Sequence, residues 1–148
     1  MTNANEEEIV AIPVRDLMTP DPILLVTTDS AQTAAEKMRG AGVGAVLVEE
    51  AGSLRGIVTD RDLVTRVIAA RVDASDLTVG EVASDQVWTV GPDDTVDDAI
   101  GLMREHAVRR VPVVENGAAV GILALGDLAV VRDPESLLGE ISAAEPND

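Results

Sequence analysis

Short apolar runs without helical period alternate along this chain with stretches whose apolar residues recur every three or four positions. Residues 23–26, 43–49 and 54–58 are of the first kind, as are 87–90, 110–115 and 119–123, and each reads as a strand. Residues 31–40 are of the second kind. Ala34 and Met38 share one face at i, i+4, Thr28, Asp29 and Ser30 offer N-caps, and Gly40-Ala41-Gly42 is a stop. Residues 59–71 read as a helix with Leu63, Val67 and Ala70 on its inner face. Residues 95–106 and 126–132 read as two more helices, the last broken by Asp133-Pro134. Asn116-Gly117 is a hairpin turn. Residues 9–13 form an extended entry ending at Pro13, and Pro20 and Pro22 force a turn within 14–22.

The order strand, helix, strand, strand, helix occurs twice. Shifted by 65 residues, the chain matches itself without a gap from Val14/Val79 to Leu63/Leu128, with 14 identities over those 50 positions. Among the pairs are Ala34/Ala99, Met38/Met103, Val43/Val108, Gly52/Gly117 and Asp62/Asp127. A unit this long, present only twice, is not a solenoid repeat. It predicts an α/β (mixed α+β) fold of two pseudo-twofold βαββα units packed through their sheets, with a ligand cleft at the junction. The predicted organisation is a flexible tail over 1–8, a first unit over 9–72, a second over 73–132 and an acidic tail over 133–148, with one helical turn at 136–141. A half of about 60 residues buries only ~60% of its unfolded surface, so the two halves are expected to share one core.

Composition narrows the function. The net charge is −16, with 11 basic against 27 acidic residues, which argues against nucleic acid and anionic membranes as partners. Cys is absent and His106 is the only histidine, which removes thiol chemistry and a Cys- or His-built metal site; no metal is expected. Residues 1–8 are polar and acidic, unlike a signal peptide, and no apolar run is long enough for a membrane span. A cytoplasmic protein is expected. Catalysis is not, since no nucleophile elbow, phosphate loop or dinucleotide fingerprint occurs.

Arg15-Asp16-Leu17-Met18-Thr19-Pro20 and Gly56-Ile57-Val58-Thr59-Asp60-Arg61-Asp62-Leu63, set in two βαββα units, are the most specific motifs of the chain. With them, residues 9–132 resemble a cystathionine-β-synthase (CBS) domain pair, or Bateman module. Arg109-Arg110-Val111-Pro112-Val113-Val114 before a turn is a common second-copy form. The resemblance implies a stand-alone regulatory module that binds an adenosine-containing ligand (AMP, ADP, ATP or S-adenosylmethionine) between the units and signals to a partner protein by changing shape. It also implies a homodimer. The alternative is a ligand-independent dimerisation or scaffold module.

Carried onto these positions, the resemblance implies ribose contact by Asp62 and ribose or phosphate contact by Thr59. Thr59-x-x-Asp62 is also close to a capping box at a helix start. In the second copy Asp127 is kept, but Ala124 replaces the threonine and Gly126 replaces Arg61. The first site is therefore expected to bind more tightly. The adenine pocket implied by the family pairs Met18-Thr19 with Val43-Gly44-Ala45, and Ala83-Ser84 with Arg109-Arg110-Val111. Met18, Val43 and Val111 read equally as core. Arg61, Arg109 and Arg110 are the candidate phosphate partners, because a guanidinium fork matches phosphate oxygens. His106 reads as a solvated helix end, Trp88 as packed on the inner sheet or at a subunit interface, and Asp93, Asp94, Asp97 and Asp98 as an acidic helix start. Leu63, Val67, Leu128 and Val131 exceed what one small core needs and are expected in the dimer interface.

Overall fold

The computed structural model of the chain describes residues 12–84 and 86–132. A single turn of 3-10 helix at Val14–Asp16 precedes β1 (Thr19–Pro20), β2 (Leu24–Val26), α1 (Ala31–Ala41), β3 (Ala45–Glu50) and β4 (Ser53–Thr59). Then come α2 (Asp60–Leu63), which widens into a π-helical turn at Val64–Ile68, and α3 (Val79–Val82). The second copy supplies α4 (Val96–His106), β5 (Arg110–Glu115), β6 (Ala118–Ala124) and α5 (Leu125–Arg132). The fold is mixed α/β, with two three-stranded sheets ordered β2-β3-β4 and β1-β6-β5. The expected tails over 1–8 and 133–148, and the turn at 136–141, lie outside the described residues.

The compact units are not sequential halves. One contains 22–87 and 117–119; the other contains 12–21, 88–116 and 120–132. Each unit is completed by a segment that precedes the other copy. In the first-copy unit, Ser84 bridges Ile57 and Val79 N–H donates to Asp29 O at 2.7 Å. In the second-copy unit, Thr19 pairs with Ile122 and Val14 N–H donates to Asp94 O at 2.8 Å. These are the same contacts displaced by one repeat. Two glycines make room for them. A Cβ on Gly56 would lie 2.8 Å from Ser84 O, and one on Gly121 would lie 2.9 Å from Thr19 O.

This exchange explains why each unit has its own core where a shared one was expected. Val79 and Val82 join Leu25, Ala31, Ala34, Met38, Val46, Val48, Val58 and Val67 in one cluster, with Leu77 and Ala83 beside it. Val14 joins Val90, Val96, Ala99, Met103, Val111, Val113, Leu123 and Leu128 in the other, with Ile12, Leu17 and Met18 beside it. The added apolar segments supply what a lone half would lack. The α1 helix starts at Ser30, whose hydroxyl accepts Thr33 N–H, and it ends at Gly42 in the left-handed conformation with φ 67°.

Three expectations are corrected here. Residues 87–90 form no strand; Val90 makes an isolated parallel bridge to Val113. In the first copy Leu47 N–H donates to Ile23 O at 2.9 Å, but the equivalent of Leu47 is Pro112, which has no N–H to give. Residues 59–71 are not one α-helix, and Ala70 is exposed rather than inward. Val67 and Leu128 are buried within their own units and Leu63 packs against the first cluster, so they do not furnish an outer face. Val131's side chain lies outside the described residues.

Candidate functional site

Strand β4 runs out at Thr59, which sits opposite Ala45 in the β3–β4 register. Asp60 N–H donates to Gly44 O at 2.9 Å, fixing the start of α2 against the segment Val43-Gly44-Ala45. The capping box forms completely. Asp62 N–H donates to Thr59 Oγ1 at 3.2 Å, and Thr59 N–H donates to Asp62 Oδ2 at 2.9 Å. Asp62 is thereby held with its side chain only 16% exposed, and its other oxygen, Oδ1, faces Arg66 Nε at 3.9 Å. The Thr59 hydroxyl proton and Asp62 Oδ1 give this corner one donor and one further acceptor.

Ser84 joins the same corner. Its N–H donates to Ile57 O at 3.0 Å and its carbonyl accepts Ile57 N–H at 3.2 Å, two residues before Thr59. The first-copy unit thus gathers Gly44, Ala45, Thr59, Asp62 and Ser84. Ala45 is buried in the sheet, Val43 is exposed, and Arg61 is exposed.

The second-copy unit repeats the corner with parts missing. Leu125 N–H donates to Arg109 O at 2.8 Å, the counterpart of the Asp60–Gly44 bond. Ala124 N–H donates to Asp127 Oδ2 at 2.9 Å, but Ala124 has no hydroxyl to complete the box. Burial pushes the Asp127 carboxyl above the usual range, opposed by the bond from Ala124. Met18 and Thr19 lie here, against Gly121. Arg110 is half-buried at the start of β5, Arg109 is exposed, and Val111 is wholly buried in the core.

The expected pairing of pocket segments is therefore crossed over. Met18-Thr19 belongs with Arg109-Arg110-Val111 and Asp127, and Ser84 belongs with Val43-Gly44-Ala45, Thr59 and Asp62. The offset of 65 placed equivalent segments in equivalent copies, but sequence offset is blind to their exchange.

The acidic start of α4 is as expected, with Asp97 and Asp98 in its first turn, whereas His106 is not the solvated helix end that was expected. His106 is half-buried and stacks on Trp88, with ring centroids 4.1 Å apart and planes at 17°. Asp98 completes a capping box with Thr95, Asp94 accepts Gly91 N–H at 2.7 Å, and Asp93 pairs with Arg15. Among the described residues no group of three or more His, Cys, Asp or Glu is gathered as a metal would require. No helix among them is long and apolar enough to cross a membrane. Sequence reasoning missed Arg66, whose Nη1 donates to Val82 O at 2.7 Å. Its spacing of four residues from Asp62 on a helix was the available signal.

Comparison with known proteins agrees with this architecture. The CBS domain family matches residues 14–69 and again 79–142. The CBS domain-containing protein YhcV of Bacillus subtilis is 40% identical over 117 residues, covering 79% of this chain and 83% of that protein. Hypoxic response protein 1 of Mycobacterium tuberculosis is 34% identical over 116 residues, covering 78% of this chain and 81% of that protein. A crystal structure of Hypoxic Response Protein I with two coordinated zinc ions superposes with a TM-score of 0.71 at 32% identity, covering 79% of this chain and 96% of that one. With two matched copies that span most of its length, each built around the same strand-to-helix corner, the chain is a tandem CBS-domain protein.

Proposed function

We propose that this tandem CBS-domain protein is a sensor that binds an adenosine-containing ligand through Thr59 and Asp62 and passes its occupancy to a partner protein by a change of conformation. AMP, ADP, ATP and S-adenosylmethionine share the ribose that Asp62 would hold. The observation that carries this reading is the posture of Asp62. One of its oxygens is tied to Thr59 N–H, and the other faces Arg66 Nε at 3.9 Å, on a side chain only 16% exposed. A carboxylate so fixed accepts from a vicinal diol without further ordering, and a pre-organised acceptor costs less to use. Gly44 carries no side chain to keep a purine off the backbone. Asp127 offers the same acceptor in a corner without the hydroxyl, which supports a weaker second site.

A homodimer belongs to the proposal. Val64 and Ile68, 54% and 69% exposed, stand four residues apart on the π-helical turn and offer an apolar face. The same face supports the second reading, a dimerisation or scaffold module in which Thr59 and Asp62 serve only as a cap. Calorimetric titration with AMP, ATP and S-adenosylmethionine separates the two. The sensor reading expects saturable binding of at least one; no heat from any of them would leave the scaffold reading.

A further inference from the structure

We infer that Arg66 is a positioning residue that orients the Asp62 carboxylate and ties it to the chain at residues 82–84. The inference rests on the site proposed above. Arg66 reaches in two directions. Its Nε faces Asp62 Oδ1 at 3.9 Å, and its Nη1 donates to Val82 O at 2.7 Å. Val82 ends α3, and two residues later Ser84 exchanges both backbone hydrogen bonds with Ile57. One guanidinium therefore spans the candidate ligand group and the segment borrowed from the other copy. Its planar fork suits this, because its donors point apart in fixed directions while a lysine offers a single point charge.

The two copies differ at this point. The residue equivalent to Arg66 is Val131, so Asp127 has no cation four residues on. Asp127 is the carboxylate whose proton burial holds more tightly. Asp62, tied to Thr59 N–H and facing its guanidinium at 3.9 Å, is the better-fixed acceptor. A diol that engages Oδ1 meets Arg66 at the same oxygen, so occupancy of the site and the grip on residues 82–84 are linked.

Amide hydrogen exchange without ligand, together with calorimetry using adenosine and AMP, tests this. The Arg66 side chain is 49% exposed, so the effects are modest. R66Q and D62N are each expected to speed exchange at the Ser84 amide about two- to fivefold, and the double variant no more than R66Q alone. R66K, which keeps the charge, is expected to restore part of the protection. Unchanged exchange at Ser84 in D62N, or additive effects in the double variant, would overturn the inference. With ligand, R66Q is expected to weaken adenosine and AMP by the same factor, since positioning of Asp62 is blind to phosphate. A loss confined to AMP would make Arg66 a phosphate contact and contradict it. If the parent binds neither compound, nor ATP or S-adenosylmethionine, the proposed function fails, and the exchange experiment alone decides the role of Arg66.

Discussion

Thr59 does two jobs that substitution separates. As N-cap it satisfies Asp62 N–H, and as a hydroxyl it offers a proton to a ligand. Thr59→Ala is expected to cost about 1 kcal/mol of stability through the cap alone. Urea unfolding checks it, and no loss would mean that the box does not hold α2. Burial gives Asp127 a pH signature. Its folded-state pKa is raised, so the folded protein holds this proton more tightly than the unfolded chain. Folding then takes up a proton between the ordinary carboxylate value, about 4, and the raised one. The penalty from this group is absent below about pH 4 and grows as pH rises through the raised value. Asp127→Asn keeps an acceptor for Ala124 N–H and removes the buried charge. It is expected to raise the melting temperature near pH 7, with the gain vanishing toward about pH 4. A gain of equal size at both pH values would contradict this origin.

The elements interlock through two glycines. Alanine at Gly56 or Gly121 would press its Cβ on the backbone of Ser84 or Thr19, and overpacking of this kind costs about 1–3 kcal/mol. Gly40, inside α1 with nothing within 4 Å of a Cβ, is the control. Gly40→Ala is expected to stabilise by about 0.5–1 kcal/mol. Thermal melts of the three variants check the contrast, and a harmless Gly56→Ala would mean that the Ser84 segment is not held as described.

Elements formed by local chemistry were legible in the sequence. The hairpin at Asn116-Gly117, the cap at Ser30 and the buried run of β3 follow from residues within a few positions of one another. What was illegible depended on distant partners. The strand expected at 87–90 is lost to a missing N–H on Pro112, and the membership of Met18 and Ser84 depends on which copy each segment joins. Trp88 and His106 stack because the fold brings them together, which no local period encodes. At the site, Thr59 and Asp62 were legible because a cap is local. Arg66 was missed because its second contact, Val82 O, lies 16 residues away.

For the whole molecule, the proposed homodimer has an apolar face that intramolecular packing leaves over. Val64 and Ile68 replace the Leu63 and Val67 of the sequence reading, because the latter pair packs inward. The parent is expected to scatter light as a dimer at micromolar concentration, and Ile68→Asp to shift it to 15.4 kDa monomer. A parent that is already monomeric would remove the dimer from the account.

Ligand recognition by Asp62 is the central claim. A hydrogen bond to a charged group contributes about 1.5–3 kcal/mol, or roughly 10- to 150-fold in affinity. The most direct measurement is calorimetry of whichever of AMP, ATP and S-adenosylmethionine binds the parent most tightly, repeated on Asp62→Ala and Asp127→Ala. The account predicts that Asp62→Ala loses most of the binding and Asp127→Ala little. Binding by Asp62→Ala as tight as the parent's would contradict ribose recognition by this carboxylate and leave it a helix cap.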